Sequence, residues 1–245
     1  LRSKSDRWEN SDQKISLQEL LSMRTFEDAI ENVIEREVDN LMRGSHDDQI
    51  RFVEKELNIK IRDFYDEWGA FIEIFERRNL AAHGNCVVNP KYIENCKKHG
   101  FDTEKIKPGT TLIISSKYLR RSAAHLLEFG LVLAFVLWRK HFPDSDQEAY
   151  KHLNWTTYEL IRTKNPRVAA RILEFALFHQ NPKINDYTHK MMTINLANAL
   201  KKIKKEERSN QVIDGVDWSA AADEFKICIA SMRGDKEKFI DLMPR

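Results

Sequence analysis

Glycine and proline are scarce in this chain, 8 and 6 of 245 residues. An all-β fold needs frequent turns, so this scarcity argues against one. Cysteine is scarcer still. Cys86, Cys96 and Cys228 form no CxxC pair and leave one thiol over, which argues against a disulfide framework and fits a reducing, cytoplasmic setting. The opening segment, LRSKSDRWENSDQKIS, has no apolar core of the kind a signal peptide carries. The first residue is Leu rather than Met, and a piece of a longer chain is expected. The greasiest run, LLEFGLVLAFVLW (126–138), contains Glu128 and falls short of the roughly 20 residues a membrane crossing needs. It reads as a buried core helix, and no membrane is expected. Charge of one sign is also lacking: 40 Lys+Arg against 38 Asp+Glu leaves +2, so any basic site must be local. Without a glycine-rich phosphate loop or a GxSxG elbow there is no case for a nucleoside triphosphatase or a serine hydrolase.

What the chain does have is helix-forming sequence almost everywhere. Its 42% hydrophobic content is ordinary and its 32% charged content is high for a globular protein. The predicted helices begin with 16–43, capped by Ser16 and stopped at Gly44, and continue with 48–57 and about 62–83. Then come 89–100, with Pro90 at a first helical position and Gly100 beyond the end, and 115–142, the most enclosed helix of a bundle. FDTEKIKPGTTLIIS (101–115) is the one long non-helical connection, with a short extended segment at TTLII. Pro143 and Asp144 mark a break. After it, successive antiparallel helices are expected, the last loosely resembling a tetratricopeptide-type pair with Ala220, Ala221, Ala222 and Ala230 at close helix approaches. No period repeats three times, so a solenoid is not established. The expected organisation is all-α: a polar segment 1–15, a helical bundle 16–143, and a helical domain 144–245 that binds a partner.

FERRNLAAHGN (75–85) places two arginines, an asparagine and a histidine where an apolar helix runs out. At about 100° per residue, Phe64, Trp68, Phe71, Ile72 and Phe75 form one stripe. Arg78, Asn79 and Ala82 continue it, with His83 at its border. Arg77 is expected to face solvent and Arg78 the packed or interface side, where it needs a partner. Asn79 and His83 are i,i+4 neighbours, so the amide can fix the imidazole's tautomer. The same spacing recurs at Arg120 and His125. There the apolar side is expected at Leu119, Leu126, Gly130, Leu133 and Leu137, with Arg120 and His125 bracketing the side away from it.

Arg78-Asn79-Leu80-Ala81-Ala82-His83, followed by Gly84-Asn85, resembles the R-polar-x3-H signature of the HEPN superfamily. The specific likeness is confined to 76–92, within an architecture spanning about 15–142. The resemblance implies a helical bundle acting as a metal-independent endoribonuclease in a homodimer, as in toxins, RNA-processing factors and antiviral effectors. Some members are non-catalytic binding or adaptor modules, the alternative reading here. The chemistry is coherent. Attack of a ribose 2′-OH on the adjacent phosphorus needs a base, an acid and charge stabilisation. His83 can transfer protons, Arg78 offers a planar fork to phosphate, and Asn79 can orient either histidine or phosphate. One histidine per chain against two proton transfers points to a composite site in a symmetric dimer. No cofactor is expected.

Blander readings stand beside this one. Arg78 and His83 can be structural, paired with carboxylates such as Glu76. His83, Cys86, Cys96 and His99 have metal-like spacing, but a loop and a helix intervene and zinc is not the preferred reading. Lys201, Lys202, Lys204, Lys205 and Arg208 are a weak candidate for RNA-backbone contact, against a solvated helix face. Trp155, Tyr158, Trp218 and Phe225 can stack bases, but helical spacing favours a core role. His125, His141, His152, His179 and His189 form no ligand cluster. An antitoxin, regulator or other protein is expected on the C-terminal helices.

Overall fold

Thr25 and Ser45 set where the first two helices begin. In this computed structural model, which describes residues 16, 18–19, 23–65, 67–180 and 183–243, α1 spans Phe26–Arg43 and α2 spans His46–Leu57. Each starts on a reciprocal capping box. The Thr25 hydroxyl accepts from the Asp28 amide at 3.1 Å while Asp28 accepts back from the Thr25 amide at 3.0 Å, and Ser45 and Asp48 repeat the arrangement. The helix expected over 16–43 is therefore interrupted before Phe26. Ser16 does act as a cap, accepting from the Glu19 amide at 3.3 Å; residues 20–22 of that expected helix lie outside the described residues. The Gln49 amide donates to the Leu41 carbonyl, tying α2 to α1.

The chain separates after Asn58 into two compact units, 1–58 and 59–245. Across Pro143, where a division was expected, packing is continuous. The reason lies in side chains that span Pro143. Arg139 grips Asp146 with two bonds of 3.0 Å and donates to Gln180 Oε1 at 3.0 Å, and the rings of Phe135 and Tyr150 meet edge to face at 4.9 Å.

The second unit runs through α3 (Trp68–His83), α4 (Pro90–Lys98), α5 (Ser116–His141), α6 (Asp146–Arg162), α7 (Pro166–Phe178), α8 (Asp186–Lys202), α9 (Glu206–Asp214), α10 (Asp223–Arg233) and α11 (Lys236–Asp241). The fold is all-α, as expected. Among the described residues the one strand-like pairing is an isolated antiparallel bridge, Val87 to Thr111, in the extended segment foreseen at TTLII. Gly69 matters for packing: a Cβ there would sit 2.6 Å from the Phe101 nitrogen and 2.8 Å from the His99 carbonyl. Only glycine lets the chain leaving α4 cross α3 this closely. Further on, α7 and α8 approach over fully enclosed alanines, Ala169, Ala176, Ala197 and Ala199. Ala221 and Ala230 are buried as expected; Ala220 and Ala222 are exposed.

The expected enclosure of α5 does not hold. It buries one side only, through Ser122, His125, Glu128, Phe129, Val132, Phe135 and Val136. On the side assigned to the core by leucine density, Leu119, Leu126 and Gly130 are exposed and Leu133 and Leu137 are half-buried. The inward side is chosen by partners: Phe129 meets Phe71 at 4.4 Å, Trp68 at 6.0 Å and Tyr65 at 5.9 Å. By length and composition α5 is the one helix among the described residues that could cross a membrane.

Candidate functional site

Helix α3 carries the R-polar-x3-H residues in its last turn and a half, and its neighbours decide how they are presented. Its first half is enclosed by Phe71 and Ile72 as well as Gly69 and Glu73. At the level of Arg77 it meets the first turn of α5, where Tyr118 lies. Beyond that level α5 has not begun. The sector that carries Phe71 and Ile72 under cover therefore emerges into solvent, taking Arg78, Asn79, Ala82 and His83 with it. The expected continuity of the stripe is observed, but Arg78 does not face a packed surface within its own chain.

Of the tandem arginines, Arg77 departs from its expected place. Arg77, expected in solvent, is 12% exposed at its side chain and pairs with the fully buried Glu73 at 2.6 Å. Its guanidinium lies 4.0 Å from the centroid of the Tyr118 ring. Glu73 also accepts from the Tyr92 hydroxyl at 2.7 Å and the Tyr118 hydroxyl at 3.0 Å. Burial beside this carboxylate raises both phenols, Tyr118 to about 12. One buried carboxylate thus holds α3, α4 and α5 together, with its charge balanced by Arg77. The only sequence signal for it is the i,i+4 spacing of Glu73 and Arg77; neither tyrosine is marked by position.

On the exposed face Arg78 donates to Asn79 Oδ1 at 3.2 Å. No carboxylate pairs with Arg78 or His83 among the described residues. Glu76, the partner expected under a structural reading, accepts instead from the Asn95 amide at 3.2 Å. No bond joins Asn79 to His83, so the tautomer is not set from that side. Directly after His83 the chain reverses. Asn85 and Cys86 both take left-handed backbone angles, φ 49° and 62°, and the Cys86 amide donates back to the Leu80 carbonyl at 3.0 Å. Two consecutive non-glycine residues there cost conformational energy. The turn is held by the returning connection, where Leu112 donates to the Cys86 carbonyl at 2.9 Å.

Cys96 belongs to a core cluster with Leu80, Val88 and Tyr92. Burial, with Glu73 close by, pushes its thiol up to about 12, away from the thiolate a zinc ion requires. His83 lies on the exposed face, so His83, Cys86, Cys96 and His99 do not converge. No group of three or more metal-ligating side chains occurs among the described residues.

His125 is buried, contrary to expectation, while Arg120 is exposed. The Tyr65 hydroxyl lies 3.0 Å from His125 Nδ1. His125 Nε2 sits 3.1 Å from Glu67 Oε2 without the alignment of a hydrogen bond. Arg171 of α7 bridges Glu67 and Glu128, each at 2.8 Å, beneath a cavity of about 90 Å³. Burial lowers the imidazole's affinity for a proton, and Arg171 adds to the effect. This group joins α5 to α7, and nothing in its sequence spacing announces it.

Among the weak RNA-contact candidates, Lys201 donates to the Met232 carbonyl and Arg208 pairs with Glu174 at 3.3 Å. Lys202, Lys204 and Lys205 are exposed around the turn from α8 to α9. Of the aromatic candidates, Phe225 is buried and Trp218 donates to the Ile213 carbonyl at 2.8 Å, both structural. Trp155 and Tyr158 are exposed, against the expectation of a core role.

No family model matches this chain, and no curated protein or solved structure is significantly similar to it. The HEPN likeness rests on the residues of the motif alone.

Proposed function

We propose that the chain is a metal-independent endoribonuclease of HEPN type, working as a homodimer and serving as a toxin or antiviral effector. The observation that carries this reading is the shared exposed face of Arg78, Asn79 and His83, on which neither Arg78 nor His83 pairs with a carboxylate among the described residues. A structural arginine would be expected to look like Arg77. In a dimer, a second Arg78–His83 pair supplies the other proton-transfer group. Arg78 binds the scissile phosphate, one His83 takes the 2′-OH proton and the other protonates the leaving 5′-oxygen. The uncovered apolar side of α5, with Leu119, Leu126 and Leu127, offers surface for association.

Incubation of purified protein with single-stranded RNA in chelator tests the proposal. His83→Ala should cut at least a hundredfold more slowly, the usual scale for one acid–base group, with unchanged helical content and mass in solution. Arg78→Lys should also lose cleavage, because a point charge does not replace a fork. Undiminished cleavage by His83→Ala would refute the site. A second reading, a non-catalytic HEPN-type module within a regulatory assembly, is favoured by that same apolar side. It predicts no cleavage by any variant, together with association lost on Leu126→Arg.

A further inference from the structure

We infer that the outer face of α6, with the adjoining end of α5, is a stacking track for single-stranded RNA. This rests on the proposed ribonuclease reading for its ligand class and lies away from Arg78 and His83 in the sequence. Trp155 is 63% exposed and Tyr158 44%, and their rings lie 5.9 Å apart at 34°. One turn earlier, the His152 ring tilts against Trp138 at 5.3 Å and 35°. Residues 152, 155 and 158 rise in steps of about 4.5 Å while turning about 60° around the helix at each step, so Trp155 and Tyr158 are neighbours and His152 stands at the α5 end of the same ridge. Trp138 in turn lines an open, shallow groove with Ala134, Leu137, His141 and Phe142.

The charge around these rings suits a phosphate backbone. Lys151 is one turn from Trp155 on the same face, and Lys140, Lys164 and Arg167 are exposed at the two ends without a carboxylate partner among the described residues. Glu148 opposes them one turn before His152. Glu159 is held by Arg162 at 2.7 Å. Aromatic faces accept any base, and cations beside them track the strand, which is how single-stranded nucleic acid is bound without strong sequence preference.

Fluorescence anisotropy with a labelled oligouridylate, which has no secondary structure, tests the inference on full-length protein carrying His83→Ala so that the probe survives. Trp155→Ala and Tyr158→Ala should each weaken binding about tenfold or more. Trp155→Phe should restore most of the affinity, and Lys151→Ala should flatten the salt dependence. Both rings are exposed, so circular dichroism should be unchanged. Equal affinity for parent and both alanine variants would overturn the track even if wild-type protein cleaves RNA. Weakened binding in a protein that cleaves nothing would uphold the track and sink the nuclease. Absence of oligouridylate binding would overturn the track outright.

Discussion

Arg77 and Arg78 are adjacent, chemically identical and opposite in circumstance. Arg77→Ala would leave Glu73 ionised in the core without its counter-charge, and Glu73→Gln would strand the guanidinium. Each should cost about 3–5 kcal/mol, read as a lower urea midpoint. Arg78→Ala should fall within about 0.5 kcal/mol of the parent, since it loses only a contact to a neighbouring exposed amide. The helical wheel placed these two residues on opposite sides but could not say which side was covered, because cover depends on where another helix starts. Acid sensitivity also belongs to single residues. Burial depresses His125 and His189 below the ordinary imidazole value. Both take up protons more readily when the chain is unfolded, so their contribution to stability is present above about pH 6.5 and declines as pH falls below it. Urea midpoints should therefore drop between pH 7.5 and 5.5. His125→Gln should lessen that drop; an unchanged drop would assign it to other groups.

At the scale of the element, α5 shows what composition conceals. None of its leucines is among its buried residues, and a hydrophobic count selects the wrong side. The inward side is fixed by Phe129 against Phe71, Trp68 and Tyr65, and by polar groups, His125 and Glu128, whose partners come from distant sequence. Helix existence was legible throughout this unit, because caps, Pro90 and Gly100 are local signals; helix rotation was not, because it is a property of pairs. The consequence is measurable. Phe129→Ala should destabilise by about 3–5 kcal/mol through the cavity it leaves. Leu126→Gln should shift the urea midpoint little when the protein is monomeric. A large loss for Leu126→Gln at low concentration would show that this side is covered within the chain. The motif helix gives the complementary lesson: spacing identified Arg78, Asn79 and His83 as one face, whereas the clamp at Glu73 depends on Tyr92 and Tyr118, which no spacing rule links.

For the whole molecule, the composition break at Pro143 does not interrupt the packing. A proline ends a helix locally, but the ion pair of Arg139 with Asp146 and the rings of Phe135 and Tyr150 carry packing straight across it. The chain parts after Asn58, in a stretch with no such change of texture. Residues 59–245 expressed alone should accordingly fold cooperatively, with a single urea transition and helical circular dichroism, whereas 144–245 alone should not reproduce that stability. Two transitions in the longer fragment would restore the boundary at 143.

The short overhang of α3 past the start of α5 makes the proposed chemistry unusually easy to interrogate. Positions 78, 79, 82 and 83 are exposed within the chain, so a saturation library there, proline aside, would be almost silent in abundance and melting. Any intolerance that such a library reveals in a growth or cleavage selection would be a direct readout of what this surface does, uncontaminated by folding defects.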